Sequence, residues 1–173
     1  MFKLNVIKPE HADDEVKEAY SIFPANIPIP APLVLMSASP DLLKAQSLII
    51  RHFMTHSKLD SGLLAMIRYL TALEFDYEFC INMNTMILEK AGGMSKEELT
   101  RLKENPEEAP LESAQKDMLL FALKVAKSPE KITDADIDSL KQHGYSDSDI
   151  YDAAYHAAMM IGQSRLFKAF AKK

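Results

Sequence analysis

Beyond a proline-rich stretch near its start, the chain repeats one pattern: apolar residues three and four apart, interrupted by capping residues and glycine. That period predicts amphipathic helices. The acidic start of Asp13–Ile22 suits a short helix, because a helix N-terminus favours negative charge. Five of the nine prolines then fall between Pro24 and Pro40. In the run 23–32 the missing N–H groups and the restricted residues before each Pro exclude a helix and predict an extended arm. Ile27, Ile29, Leu33, Val34 and Leu35 make that arm apolar enough to pack against the body.

Ser39-Pro40 opens the next helix, with Leu42, Leu43, Ser47, Ile50 and Met54 at helical spacing to about His56. Asp60 caps a helix carrying Leu63, Leu64, Met66, Ile67, Leu70 and Leu73 to about Glu74. A further helix, from about Asp76 to Ala91, stops at Gly92-Gly93. Ser95-Lys96-Glu97-Glu98 is a capping box for a short helix to about Lys103, and 105–110 reads as a turn. Helices follow at about 111–127, at 133–143 with Gly144 as stop, and at 146–171, opened by Ser146-Asp147-Ser148-Asp149. Residues 3–7 are too short to assign as a strand, and no alternating pattern competes. The expectation is all-α: a helical bundle of seven or eight helices, with residues 1–38 forming the N-terminal helix and the extended Pro-rich arm.

At 173 residues the chain predicts one domain, and 47% apolar with 26% charged residues excludes a disordered or low-complexity chain. Twenty basic against 25 acidic residues leave a net charge of −5, which repels phosphate backbones and anionic lipid. No nucleic-acid or membrane partner is expected. No apolar run is long enough for a membrane span or a signal-peptide core, so a cytoplasmic protein is expected. Cys80 is the one cysteine. It excludes an intrachain disulfide and any zinc site built on several cysteines.

On a helix starting near Asp76, the residues Tyr77, Cys80 and Asn84 lie on one stripe, with Cys80 in the first turn. The unpaired N–H groups there lower a thiol pKa. Glu74, Asp76 and Glu78 oppose that, and no Lys or Arg lies between Arg68 and Lys90. A buried, inert cysteine therefore stands beside an activated one as an alternative. Tyr77 beside Cys80 and Asn84 would make a polar pocket. His52 and His56 have the spacing of two metal ligands, but no third ligand is indicated and no metal is expected. Asp134, Asp136 and Asp138 follow the start of a calcium loop, yet Ser139 and Tyr145 replace the required Gly and Glu, so a helix start explains them. No phosphate-binding glycine loop or Gly-x-Ser-x-Gly elbow is present, and no cofactor is expected.

The run Tyr77-Glu78-Phe79-Cys80-Ile81-Asn82-Met83-Asn84, followed by Ala91-Gly92-Gly93-Met94-Ser95-Lys96-Glu97-Glu98-Leu99, resembles the core of the alkylhydroperoxidase D-like (AhpD-like), carboxymuconolactone decarboxylase superfamily. The segments 117–122, 132–137 and 144–151 extend the likeness to roughly residues 20–172. The resemblance implies peroxidase and antioxidant ancestry, homo-oligomers, and a Cys-x-x-Cys-x-x-x-His site with a relay glutamate. Cys80 matches the second cysteine and is the candidate catalytic residue. Tyr77 replaces the first cysteine, Asn84 the histidine and Ala65 the glutamate, with Glu74 a nearby titratable group. Without a second thiol no disulfide closes, so at most a one-cysteine thiol peroxidase or redox protein remains, served by an external thiol reductant. The decarboxylase branch needs no thiol pair, and Arg51, His52, His56, Arg68, His156 and Arg165 are its available cationic or polar groups. A small-molecule binder and an inert structural protein complete the alternatives.

Overall fold

The computed structural model describes residues 2–25 and 27–172. Asn26, part of the expected arm, lies outside the described residues, as do the two terminal positions of the expected 1–173 domain. Among the described residues the chain is helical, with nine α-helices and one isolated bridge, Phe2 to Ala171. It divides into two compact units, Met1–His56 with Arg165–Lys173, and Ser57–Ser164.

The first unit contains α1 (Asp14–Tyr20), α2 (Ala31–Met36), α3 (Pro40–Met54) and the end of α9 (Asp147–Phe170). Asp13 caps α1 by accepting from the Val16 N–H at 3.0 Å, which satisfies one of the first-turn donors. Val16, Ala19 and Tyr20 pack with Leu33 and Leu43, and the Tyr20 hydroxyl donates to the Ile7 carbonyl at 2.8 Å. Across the bridge, the Lys3 N–H donates to the Phe170 carbonyl at 2.8 Å.

The arm departs from expectation at α2. Residues 31–36 are helical despite their prolines, because Pro30 is the N-cap and Pro32 lies in the first turn, where a missing N–H breaks no helical bond. Leu33 and Leu35 are buried, so apolar packing stabilises this short turn. Ser39 makes no capping bond to α3, whose start is set instead by Pro40 with its fixed φ.

The second unit is built on α4 (Ser61–Glu74), with α5 (Glu78–Lys90), α6 (Lys96–Glu104), α7 (Ser113–Lys127), α8 (Asp134–Gln142) and α9 as far as Ser164. Asp60 caps α4 by accepting from the Leu63 N–H at 2.9 Å and also accepts from Gln115. Nine residues between Leu63 and Ala72 are buried, so α4 is apolar on nearly every face and is enclosed by its neighbours, α5 and α7 above all. Leu63 and Ile67 on α4 and Leu88, Leu102, Met118, Leu119 and Leu140 on the other helices belong to the core of this unit, each at most 1% exposed. The acidic run before α8 is a helix start: Asp136 completes a capping box with Thr133 and pairs with Lys124 Nζ at 2.7 Å.

Between α4 and α5 the chain turns through Phe75, Asp76 and Tyr77. Asp76 is the one described non-glycine residue at positive φ, 48°. Its N–H donates to the Leu73 carbonyl at 3.3 Å, and the Tyr77 N–H donates to the Ala72 carbonyl at 2.8 Å. This is a Schellman closure with Asp in the place usually held by Gly. It returns α5 onto α4. We expect Asp76→Val to destabilise the fold by about 1–2 kcal/mol, because a β-branched side chain fits that backbone poorly, whereas Asp76→Asn changes little. Urea unfolding of the two variants checks this, and equal midpoints would contradict it.

Candidate functional site

Cys80 lies in the first turn of α5, with Tyr77 as the N-cap residue and Asn84 one turn on, all three buried. The expected stripe thus faces the interior of the second unit. Tyr77 and Asn84 are 1% and 0% exposed, so this is the most enclosed polar region of the helix pair. Ala65 is fully buried on α4. Glu74 is not brought to the site: it ends α4 at the surface and pairs with Lys127 Nζ at 2.7 Å.

Two side chains that the sequence could name but not pair complete the cluster. Arg68 extends from the middle of α4, and its Nε donates to Asn84 Oδ1 at 2.8 Å. Its Nη1 faces His156 Nε2, on α9, at 3.0 Å. A guanidinium carries donors only, so each contact fixes the chemistry of its partner. Asn84 must present its oxygen to Arg68, which leaves Nδ2 to donate to the Cys80 carbonyl at 2.8 Å. His156 must accept at Nε2, so the proton sits on its other ring nitrogen, which bonds the backbone of Leu64. Arg68, Asn84 and His156 therefore form one directional network from three helices.

Burial dominates the electrostatics. It pushes the Cys80 thiol up to about 11, against smaller lowering effects of the Tyr77 hydroxyl and the Arg68 charge. The N-terminal position on α5 does not activate the thiol, because desolvating a thiolate outweighs the helix dipole. Burial also raises the Tyr77 phenol, with the Cys80 thiol adding to the effect. Arg68 is drawn down to about 10 by desolvation, with Cys80 opposing. His156 is held down to about 3, first by burial and then by the adjacent guanidinium. Near neutral pH the cluster thus carries a single positive charge, on Arg68, beside a neutral imidazole and a neutral thiol.

The metal-spaced histidines lie in the first unit, where the His52 and His56 rings meet edge to face with centroids 5.5 Å apart. Sequence reading missed the special place of Arg68. The available signal was a single cation inside 61–74, a helix with no polar face on which to put it. His156 carried a fainter signal: the alanines around it at 153, 154, 157 and 158 let α9 approach a neighbouring helix closely.

No family model matches the sequence, and no curated protein matches it. Solved structures do. The chain superposes on the alkylhydroperoxidase AhpD core of an uncharacterized peroxidase-related protein from Ralstonia eutropha JMP134 with a TM-score of 0.79. The two are 22% identical, over 98% of this chain and 90% of that one. An uncharacterized peroxidase-related protein from Silicibacter sp. TM1040 gives a TM-score of 0.76 at 23% identity, over 98% and 92% of the two chains. The fold is that of the alkylhydroperoxidase D core. On this AhpD-like fold the residues around Cys80 form a cationic, hydrogen-bonded cluster with no second thiol.

Two outcomes follow from the cluster's protonation states. With the thiol at about 11, alkylation of Cys80 by iodoacetamide at pH 8 should be on the order of 100-fold slower in the folded protein than in urea. Equal rates would show an accessible thiolate. The second concerns acid stability. Unfolded His156 takes up its proton near 6.5 but the folded residue only near 3. Its contribution is complete above pH 6.5 and falls by up to about 1.4 kcal/mol per pH unit as the pH drops through that window. His156→Gln should flatten the stability profile between pH 6 and 4.5, and an unchanged slope would refute the buried neutral state.

Proposed function

We propose that this chain is a small-molecule-binding protein on an AhpD-like fold that does not run the dithiol peroxidase cycle. One observation carries the reading: Arg68 is hydrogen-bonded to the neutral Asn84 amide and holds His156 as an acceptor, while Cys80 and Tyr77 are buried. Burial and the adjacent guanidinium keep the imidazole neutral, and burial keeps the thiol and the phenol protonated. None of them can both take up and release a proton near neutral pH, as a relay requires. With one cysteine in the chain, peroxide reduction also lacks a resolving thiol. A fixed cation with oriented, neutral partners is suited to hold a ligand. The peroxidase-related descriptions of the structural neighbours support a peroxidase ancestry, and Tyr77, Asn84 and Ala65 stand where the resembled motif has its other working groups.

Peroxide consumption with dithiothreitol tests this. Wild-type protein should match Cys80→Ser at the background rate, and robust turnover abolished by Cys80→Ser would overturn the reading. Such turnover would favour the one-cysteine alternative, in which the Cys80 thiolate attacks one peroxide oxygen and the O–O bond breaks with water or an alcohol as the leaving group. The resulting sulfenic acid is reduced to the thiol by two equivalents of an external thiol, which end as a disulfide with release of water.

Self-association is also proposed, from the same resemblance. Because α4 is enclosed within its own unit, a subunit contact cannot use it, and the outer side of α5, where Met86 is 48% exposed, is the available part of that helix pair. Sedimentation equilibrium at tens of micromolar should return a dimer or larger species. A monomer would exclude it.

A further inference from the structure

A guanidinium has five N–H donors. Arg68 uses one at Asn84 and one at His156, and the other three, including both on Nη2, have no partner among the described residues. No described carboxylate pairs with it either: its hydrogen bonds go to a neutral amide and a neutral imidazole. Proteins seldom desolvate a cation without an opposite charge, because the penalty amounts to several kcal/mol. Thr71, one turn along the same side of α4, adds a buried polar group: the residue is 1% exposed and its hydroxyl has no hydrogen-bond partner among the described residues. Arg68 itself is only partly buried, so the cluster is not sealed from solvent.

We propose, building on the small-molecule-binding reading, that Arg68 and Thr71 form the receptor for a small monovalent oxyanion in the second unit. Asn84 and His156 act as positioning residues that fix the plane of the guanidinium. One cation faces no described counter-charge, so one negative charge neutralises the site, whereas a dianion would leave an excess negative charge in it. Several N–H donors together with a hydroxyl suit a ligand with two or three oxygens better than a halide. Formate-like carboxylates and nitrate-like inorganic anions share this chemistry.

Calorimetric titration of the reduced full chain at constant ionic strength tests the proposal, with sodium formate, acetate and nitrate as probes and formamide, chloride and inorganic phosphate as controls. At least one of formate, acetate and nitrate should bind saturably, and at least tenfold more tightly than any control. Tighter carboxylate than nitrate binding identifies an organic acid as the ligand, and the reverse order an inorganic anion. Arg68→Lys, which keeps the charge but loses the fork, and Thr71→Val should each weaken binding, Arg68→Lys by at least tenfold. If Arg68→Lys does not fold, the Arg68 Nε–H resonance of the wild type supplies the readout and should shift saturably with the same probes. No saturable binding of any probe, equal affinity for phosphate, or unchanged affinity in folded Arg68→Lys would overturn the proposal. No peroxide is present, so a failed titration leaves the peroxidase question where the turnover assay puts it, and peroxide turnover does not alter the titration.

Discussion

The second unit is organised around one constraint: a partly buried guanidinium in the middle of a helix that is otherwise almost wholly apolar. Elsewhere α4 is apolar and closely packed, with Leu63, Ala65 and Ile67 fully buried. Arg68 can be accommodated there only if neighbouring helices bring acceptors to it. Two do, α5 through Asn84 and α9 through His156, and each acceptor is locked by a further bond, Asn84 to the Cys80 carbonyl and His156 to the backbone of Leu64. The rotation of three helices about their own axes is therefore tied to a single planar group, which apolar packing alone, being non-directional, would not specify.

The same network bears on the meaning of the residues around Cys80. An asparagine in the position of a motif histidine can be taken as simple loss of function. Here Asn84 accepts from a cation and donates to a carbonyl, and it is fully buried. A histidine can also accept from the guanidinium, but its ring cannot reproduce both of these bonds in the geometry of the amide. The polar residues beside Cys80 form a connected arrangement of their own, in which the thiol is a small buried side chain next to a phenol.

Helices were legible in the sequence because their signals are local. Asp13, Asp60, Ser95 and Thr133 each make the capping bond that their residue types predict, and Gly93 and Gly144 take the positive φ expected past a helix end. The error at α2 came from treating every proline as a breaker, when a proline in a first turn interrupts no bond. Part of the site was legible for the same reason: Tyr77, Cys80 and Asn84 are linked by helical period. Arg68 and His156 are linked by no period, since their partnership depends on how α9 docks against α4. Glu74 shows the converse, a residue near Cys80 in sequence that the turn at Asp76 leaves at the surface with Lys127.

The Asp76 turn also bears on the order in which the cluster assembles. Arg68 and Asn84 are 16 residues apart, on two helices joined by a tight closure, whereas Arg68 and His156 are 88 apart. Loop-closure entropy grows with the logarithm of separation, so reaching His156 costs about 1.5 kcal/mol more chain entropy than reaching Asn84. Chain entropy therefore favours closing the α4–α5 hairpin before the imidazole is brought to the guanidinium. In that order the cation keeps its water on the side of α9 until α9 docks, and the cost of removing that water is deferred to the later step.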